Sequence, residues 1–154
     1  MFTKILFPTD FSDTAGKSLE YIKALHHAGG RQVLVLHVIH QRIIDTLETL
    51  HKVVYFQDGR YQENREEAEQ KLLEDRRKKM MPMVAELKNL GFDVKTRIKT
   101  GYPVREILKA EKDENVSVIV LGSHGRNNLR GTRIGSVSEK VIRRSVSPVL
   151  LVKR

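Results

Sequence analysis

With 154 residues the chain is long enough to bury a real core and sized for one domain; with no cysteine it excludes disulfides, thiolate metal sites and cysteine nucleophiles. Its formal charge of +9 is uneven: residues 1 to 96 carry 15 Lys/Arg against 14 Asp/Glu, whereas residues 97 to 154 carry 13 against 5, a net of +8. That excess suits an anionic ligand in the second half and permits general attraction to nucleic acid, but 6% aromatic residues, with no RNP-like strand and no zinc-finger spacing, give sequence-specific nucleic-acid recognition little support.

Lys4 to Phe7 is an apolar strand stopped at Pro8, and Pro8-Thr9-Asp10-Phe11-Ser12 makes the first strand-to-helix turn, with Ser12 or Asp10 as its cap. Ala15, Leu19, Ile22 and Leu25 recur at helical spacing, and Gly29-Gly30 stops that helix. Asp10 follows a central strand, where open α/β sheets bind ligands, so it reads either as a ligand contact or as a turn-forming cap. Val33 to Ile39 is a second strand, apolar enough to be covered on both faces. His37 within it reads as a packed or hydrogen-bonded core histidine, because no acid or nucleophile accompanies it in sequence.

Gln41 to Gly59 is poorly patterned, and its apolar residues, among them Ile43, Leu47, Leu50 and Phe56, suit a short helix or a flap over a ligand or partner. Tyr61 to Leu90 is a long helical stretch whose charge run from Glu63 to Lys79 is a solvated face, with Met80, Met81 and Met83 as core filler. Pro82 predicts a kink or break there, since an interior proline costs about 3 kcal/mol in a regular helix. Val94, Thr96 and Ile98 alternate with Lys95, Arg97 and Lys99, which places a strand with one polar face at a sheet edge. Gly101-Tyr102-Pro103 turns into a short helix with Pro103 near N1 and Val104, Ile107 and Leu108 facing inward. Val116 to Leu121 is a β-branched run closed by Gly122, as a buried parallel strand requires. Val141 and Ile142 lie in a last helix, and Val149 to Val152 is a final apolar strand after Ser147-Pro148.

The order β-α-β-(α)-α-β-α-β-α-β predicts one α/β domain over residues 1–154: a doubly wound, five-stranded parallel sheet with helices on both faces, Rossmann-like in class. An apolar final strand at an edge is adhesive, so a homodimer through Val149 to Val152 is the simplest closed arrangement. The longest apolar runs, Val33 to Leu36 and Val118 to Leu121, fall far short of the ~20 residues of a membrane span, and Met1 to Pro8 lacks the apolar core of a signal peptide. A soluble, cytoplasmic protein without membrane attachment is expected.

The most informative stretch joins the fourth strand to the last helix. Gly122, Gly125, Gly131 and Gly135 let a ligand approach the backbone without Cβ obstruction, although glycines also serve ordinary turns. Ser136-Val137-Ser138-Glu139 has the S-x-x-E form of a capping box, which marks Ser136 as the N-cap. A helix N-terminus beside such a loop and the cations Arg126, Arg130 and Arg133 makes an anion cradle, and a nucleotide phosphate is the commonest biological anion to fit it. Neither a G-x-x-x-x-G-K-S/T run nor a G-x-G-x-x-G follows any strand, so the P-loop and dinucleotide-binding fingerprints are missing.

Gly122-x2-Gly125-x9-Gly135-Ser136 resembles the G-2x-G-9x-G(S/T) motif of ATP-binding members of the universal stress protein (UspA-like) family. The likeness runs along essentially the whole chain: KILFPTDFS opens it, LHVI ends the second strand, GSHG begins the loop, GSVSEKVIRRS follows it and SPVLLVKR closes it. The resemblance implies an adenine nucleotide alpha hydrolase-like fold and a dimeric, cytoplasmic protein that binds ATP (or ADP/AMP). Mg2+ or Mn2+ would be held mainly by phosphate oxygens, with no metal ligand from the protein. By the same resemblance Pro8, Thr9 and Asp10 lie beside adenosine, Asp10 accepts from ribose hydroxyls and Val38 meets adenine through its backbone. Gly122, Ser123, His124, Gly125, Arg126, Asn127 and Asn128 wrap the phosphates, and Gly135, Ser136, Val137 and Ser138 close on them.

The function this implies is a nucleotide-dependent regulator or switch in stress response, with an unidentified protein partner and at most slow ATP hydrolysis. His124 is the only obvious base in the loop, with Arg126 and Arg130 as charge stabilisers; its other role is to pack beside phosphate. Two competitors are a genuine ATPase or nucleotidyl-transfer enzyme and a nucleotide-independent interaction protein, the second opposed by the presence of Gly125, Gly135 and Ser136. A flavin or electron-transfer module shares the fold class but has no motif here.

Overall fold

The computed structural model describes residues 1–55, 61–124 and 134–153, with the side chains of 51, 53–55 and 61–64 outside that description. The elements in chain order are β1 (Lys4–Pro8), α1 (Asp13–His27), β2 (Gln32–His40), α2 (Gln41–Tyr55), α3 (Tyr61–Asn89), β3 (Asp93–Gly101), α4 (Pro103–Glu114), β4 (Val118–Gly122), α5 (Ser136–Arg144) and β5 (Val149–Val152). The strands form one parallel sheet in the order β3-β2-β1-β4-β5.

Strand periodicity divides the core in two. In β1, Ile5 and Phe7 point to one face and Leu6 to the other; in β2, Val33 and Val35 oppose Leu34 and Leu36 in the same way. Ile5, Phe7, Val33, Val35, Val118 and Val120 pack against α1 through Ala15, Leu19 and Ile22 and against α3 through Met80, Val84 and Leu87. Leu6, Leu34, Leu36, Ile119 and Leu121 pack on the other face against Ile107 and Ala110 of α4 and Val141 of α5. The sheet is thus doubly wound, which explains why β1, β2 and β4 are nearly unbroken apolar runs. β3 and β5 are the edges, as their sequences predict.

Two local expectations are narrowed and one is corrected. Of the alternatives for the segment after β2, a helix forms: α2 runs for 15 residues and starts directly at the strand end. Ile43, Ile44, Leu47 and Leu50 sit at helical spacing, Thr46 and Thr49 return their hydroxyls to the carbonyls of Arg42 and Asp45, and Glu48 pairs with Arg65 of α3 at 2.7 Å. α3 runs through Pro82 without a break. Pro82 is exposed, so the carbonyl it leaves unbonded can turn to water, while Met80, Val84 and Leu87 anchor the helix on both sides. Met81 is 61% exposed and fills no core, unlike Met80 and Met83 on the inward face.

Candidate functional site

The chain goes from β1 to β2 on one side and places β4 on the other, so the carboxyl ends of β1 and β4 flank a topological switch point, where open α/β sheets form ligand crevices. A cleft of about 700 Å³ lies there. Pro8, Thr9 and Asp10 enter it from the end of β1, Val38 from β2, Gly122 and His124 from β4, and Gly135, Ser136, Val137 and Ser138 from the start of α5. Segments more than a hundred residues apart in sequence thus face one space. Ser123 does not line it: buried behind the wall, it donates its amide to the Val152 carbonyl at 2.7 Å and accepts the Gly135 amide on its own carbonyl at 2.7 Å. Gly125, Arg126, Asn127 and Asn128 lie outside the described residues.

The β1–α1 turn is built by short side chains bonding the backbone ahead of them. The Thr9 hydroxyl accepts from the Phe11 amide at 3.1 Å, Asp10 Oδ1 accepts from the Ser12 amide at 3.0 Å, and Ser12 Oγ caps α1 by accepting from the Ala15 amide at 3.4 Å. Between them Phe11 sits at φ 63°, a left-handed conformation that bulky residues avoid. Its ring rests on His37 at 4.5 Å, and His37 Nδ1 in turn lies 2.8 Å from the Thr9 carbonyl. His37 is therefore the buried, hydrogen-bonded histidine its sequence context suggests, and it buttresses the turn that presents Asp10.

The start of α5 differs from the expected capping box. Gly135, at φ −61° and ψ 149°, is the extended N-cap and makes no side-chain cap bond; Ser136 is the first helical residue. Glu139, the acid of that motif, pairs instead with Arg143 at 2.9 Å, and the intervening Ser138 donates its Oγ to the Gly122 carbonyl at 2.8 Å, which ties the helix start to the end of β4. Among the described residues nothing accepts from the amides of Ser136, Val137 and Ser138. The N-terminus of α5, with these three amides and the positive end of the helix dipole, thus borders the cleft, an arrangement that attracts anions.

Gly122 has a structural reason beyond ligand approach: a Cβ there would stand 3.0 Å from Thr14 Cγ2 and 3.2 Å from Thr14 Cβ, so α1 can cross β4 closely only at glycine. His124 Nδ1 lies 2.8 Å from Ser123 Oγ, whereas its Nε2 is buried with no hydrogen-bond partner among the described residues. Among the described residues no group of three or more His, Cys, Asp or Glu is placed to hold a metal ion, and the described cleft wall offers one carboxylate, Asp10.

Ile43 of α2, one of the apolar residues expected over a ligand or partner, lines the cleft, whereas sequence reasoning missed Arg76 of α3 and Pro103 and Ile107 of α4. A signal for Arg76 existed: it stands four residues before Met80, on the stripe that continues through Val84 and Leu87 into the core, so it is a cation on an apolar face. The Arg76 side chain is only 14% exposed, and its guanidinium pairs with Asp75 at 3.2 Å.

A five-stranded parallel sheet covered by helices on both faces, with a helix N-terminus at its switch point, defines a doubly wound α/β protein. The universal stress protein family model matches residues 1–153. The universal stress protein MJ0577 of Methanocaldococcus jannaschii is 42% identical over all of this chain and 96% of its own length, and its solved structure superposes with a TM-score of 0.84 over 100% of this chain and 97% of that one. YxiE of Bacillus subtilis, also a universal stress protein, is 34% identical over 99% of this chain and all of its own. A solved universal stress protein of Archaeoglobus fulgidus in complex with dAMP shares the fold at 17% identity, with a TM-score of 0.63 over 99% of this chain and 98% of that one. The chain belongs to the universal stress protein family. Among the described residues no helix is long and apolar enough to cross a membrane.

Proposed function

We propose that the cleft binds an adenine nucleotide, ATP in the working state, and that the protein is a nucleotide-dependent regulator or switch in stress response. The observation that carries this reading is the convergence of Pro8–Asp10, Val38, Gly122 and the open amides of Ser136, Val137 and Ser138 on one space. In this reading the phosphates lie against the start of α5, Asp10 accepts from ribose hydroxyls and the Val38 backbone meets the base. A relative of the same fold in complex with dAMP adds support. Mg2+ or Mn2+ would take most of its ligands from phosphate and water, because the described wall supplies a single carboxylate. Gly125, Arg126, Asn127 and Asn128 would complete the phosphate wrap. Pairing of β5 edges between two copies would give the dimer, which light scattering at several concentrations tests directly.

Ser136→Pro isolates the phosphate contact, since proline is well tolerated at the first helical position and removes that amide. Calorimetry should show ATP affinity falling about tenfold or more, the worth of a hydrogen bond to a charged group, with adenosine affinity unchanged. Equal loss for both ligands, or none for ATP, would place the phosphates elsewhere. A second reading, true ATP hydrolysis, is favoured by the partnerless Nε2 of His124 on the cleft wall. There, water would attack the γ-phosphorus as the bond to ADP breaks, and His124 would take the water's proton. Single-turnover product formation abolished in His124→Ala, with ATP affinity intact, would establish that reading; its absence in the wild type would leave a binding switch.

A further inference from the structure

Beside the cleft, and sharing His40, Pro103, Ser136 and Val137 with it, a second groove of about 610 Å³ runs between α4 and α5. Val104, Leu108 and Val137, each half-buried, give it an aliphatic floor, while Arg105, Lys140 and Arg144 stand exposed along it. No acidic side chain is among its described lining residues. On the same two helices, Lys109 pairs with Asp113 at 3.2 Å and Arg143 with Glu139 at 2.9 Å. Among the described residues no carboxylate pairs with Arg105, Lys140 or Arg144. Three like charges gathered on one slot repel each other in the free protein, and an anionic occupant relieves that repulsion.

We propose that this groove docks an acidic segment of a protein partner, with carboxylates meeting Arg105, Lys140 and Arg144 and an aliphatic side chain seated on Val104, Leu108 and Val137. The floor decides between polyanions. Single-stranded nucleic acid is held by aromatic platforms on which successive bases stack. Here the groove's aromatic rings, His40 and Tyr102, meet each other edge to face at 5.6 Å, and what lies between the cations is aliphatic. A carboxylate-rich segment with a leucine-like anchor matches both the charge and the floor. The inference does not depend on a nucleotide occupying the neighbouring cleft.

The test is fluorescence anisotropy of the full chain, without nucleotide, using a fluorescein-labelled peptide of alternating Glu and Leu. Binding should weaken about tenfold or more in Lys140→Glu/Arg144→Glu, as expected for like charges set against each other, and should fall with rising salt. Arg143→Glu, a charge reversal of equal size on the same helix but outside the groove, should leave it unchanged. Val104→Ser should weaken the Glu/Leu peptide and not a polyglutamate peptide, with melting curves confirming that each variant is folded. No binding by the Glu/Leu peptide, an equal loss in Arg143→Glu, equal binding of polyglutamate, or tighter binding of inorganic polyphosphate or single-stranded DNA would each overturn the proposal.

Discussion

Glu111 offers the sharpest check on how the cleft's last helix is held. It is 5% exposed on α4, and one oxygen, Oε1, accepts both the Val146 amide at 2.9 Å and the Ser147 amide at 2.7 Å, the two residues that carry α5 into β5. A hydrogen bond to a charged group contributes roughly 1.5–3 kcal/mol, but the two bonds are not equivalent. Val146 is 92% exposed, so in Glu111→Ala its amide recovers a water partner and the loss is at the low end; Ser147 is half-buried and its amide is left poorly satisfied. The sum is about 3 kcal/mol for Glu111→Ala, a fall of roughly 6–12 °C in Tm for a domain of this size. Glu111→Gln keeps an acceptor oxygen in the same place and loses only the charge assistance, about half of the effect. Urea unfolding at fixed protein concentration should show the midpoint falling in the order wild type, Gln, Ala, with a constant slope. If Ala and Gln were equally destabilised, or Ala fell by less than about 1 kcal/mol, the shared-oxygen account would be wrong.

Gly122→Ala should lose about 1–3 kcal/mol in thermal unfolding by overpacking against Thr14, and Thr14→Ser, which removes the methyl standing 3.0 Å away, should recover part of that loss. Phe11→Gly should unfold at higher denaturant than Phe11→Ala, by about 1 kcal/mol, because both lose the ring against His37 but only glycine takes φ 63° without strain; the reverse order would mean that the turn relaxes. Glu114 accepts from Lys4 at 2.8 Å and from Arg97, and these two cations hold its carboxyl below the ordinary value of 4.5. A depressed folded-state value means stability that is present above the ordinary carboxylate range and lost as pH falls through the folded-state value. Glu114→Gln should therefore unfold more easily than the wild type at neutral pH, with the gap closing as urea midpoints are followed into acid; a gap independent of pH would exclude this linkage.

Much of the fold was legible because the sheet is parallel and covered on both faces. Burial on two sides leaves β1, β2 and β4 with apolar runs that no surface element shares, and the polar alternation of β3 marks an edge. The extent of α2 was harder to read. Its residues Ile43, Ile44, Val53 and Val54 are β-branched, and no Ser, Thr, Asp, Asn or Gly separates it from β2, so propensity and boundary signals left a short helix and a flap both open. At Pro82 the sequence left a kink and a break open: local propensity charges a fixed cost for an interior proline, but whether the helix breaks depends on the tertiary anchors either side of it, which only packing reveals.

The site was legible to the extent that it is made of backbone. Glycines, a strand end and a helix start are written in sequence as residue types, and of those within the described residues Gly122, Gly135, Pro8–Asp10 and Ser136–Ser138 line one cleft. The side-chain assignments fared differently, because a short polar residue at a helix start can bond more than one backbone group. Ser136 and Glu139 could have closed a capping box; instead Gly135 takes the extended N-cap geometry, Ser138 fastens the helix to Gly122, and among the described residues nothing accepts from the amides of Ser136, Val137 and Ser138 beside the cleft. The departure from the expected cap thus bears on binding: a fully capped helix would have used up donors that an anion needs, whereas a glycine cap anchored one turn further on keeps them open. Arg76 and His37 carry the complementary lesson. Both are polar groups on buried faces, one lining the cleft from α3 and the other bracing the turn that holds Asp10, and in each case the informative feature was a polar side chain at a position whose period called for an apolar one.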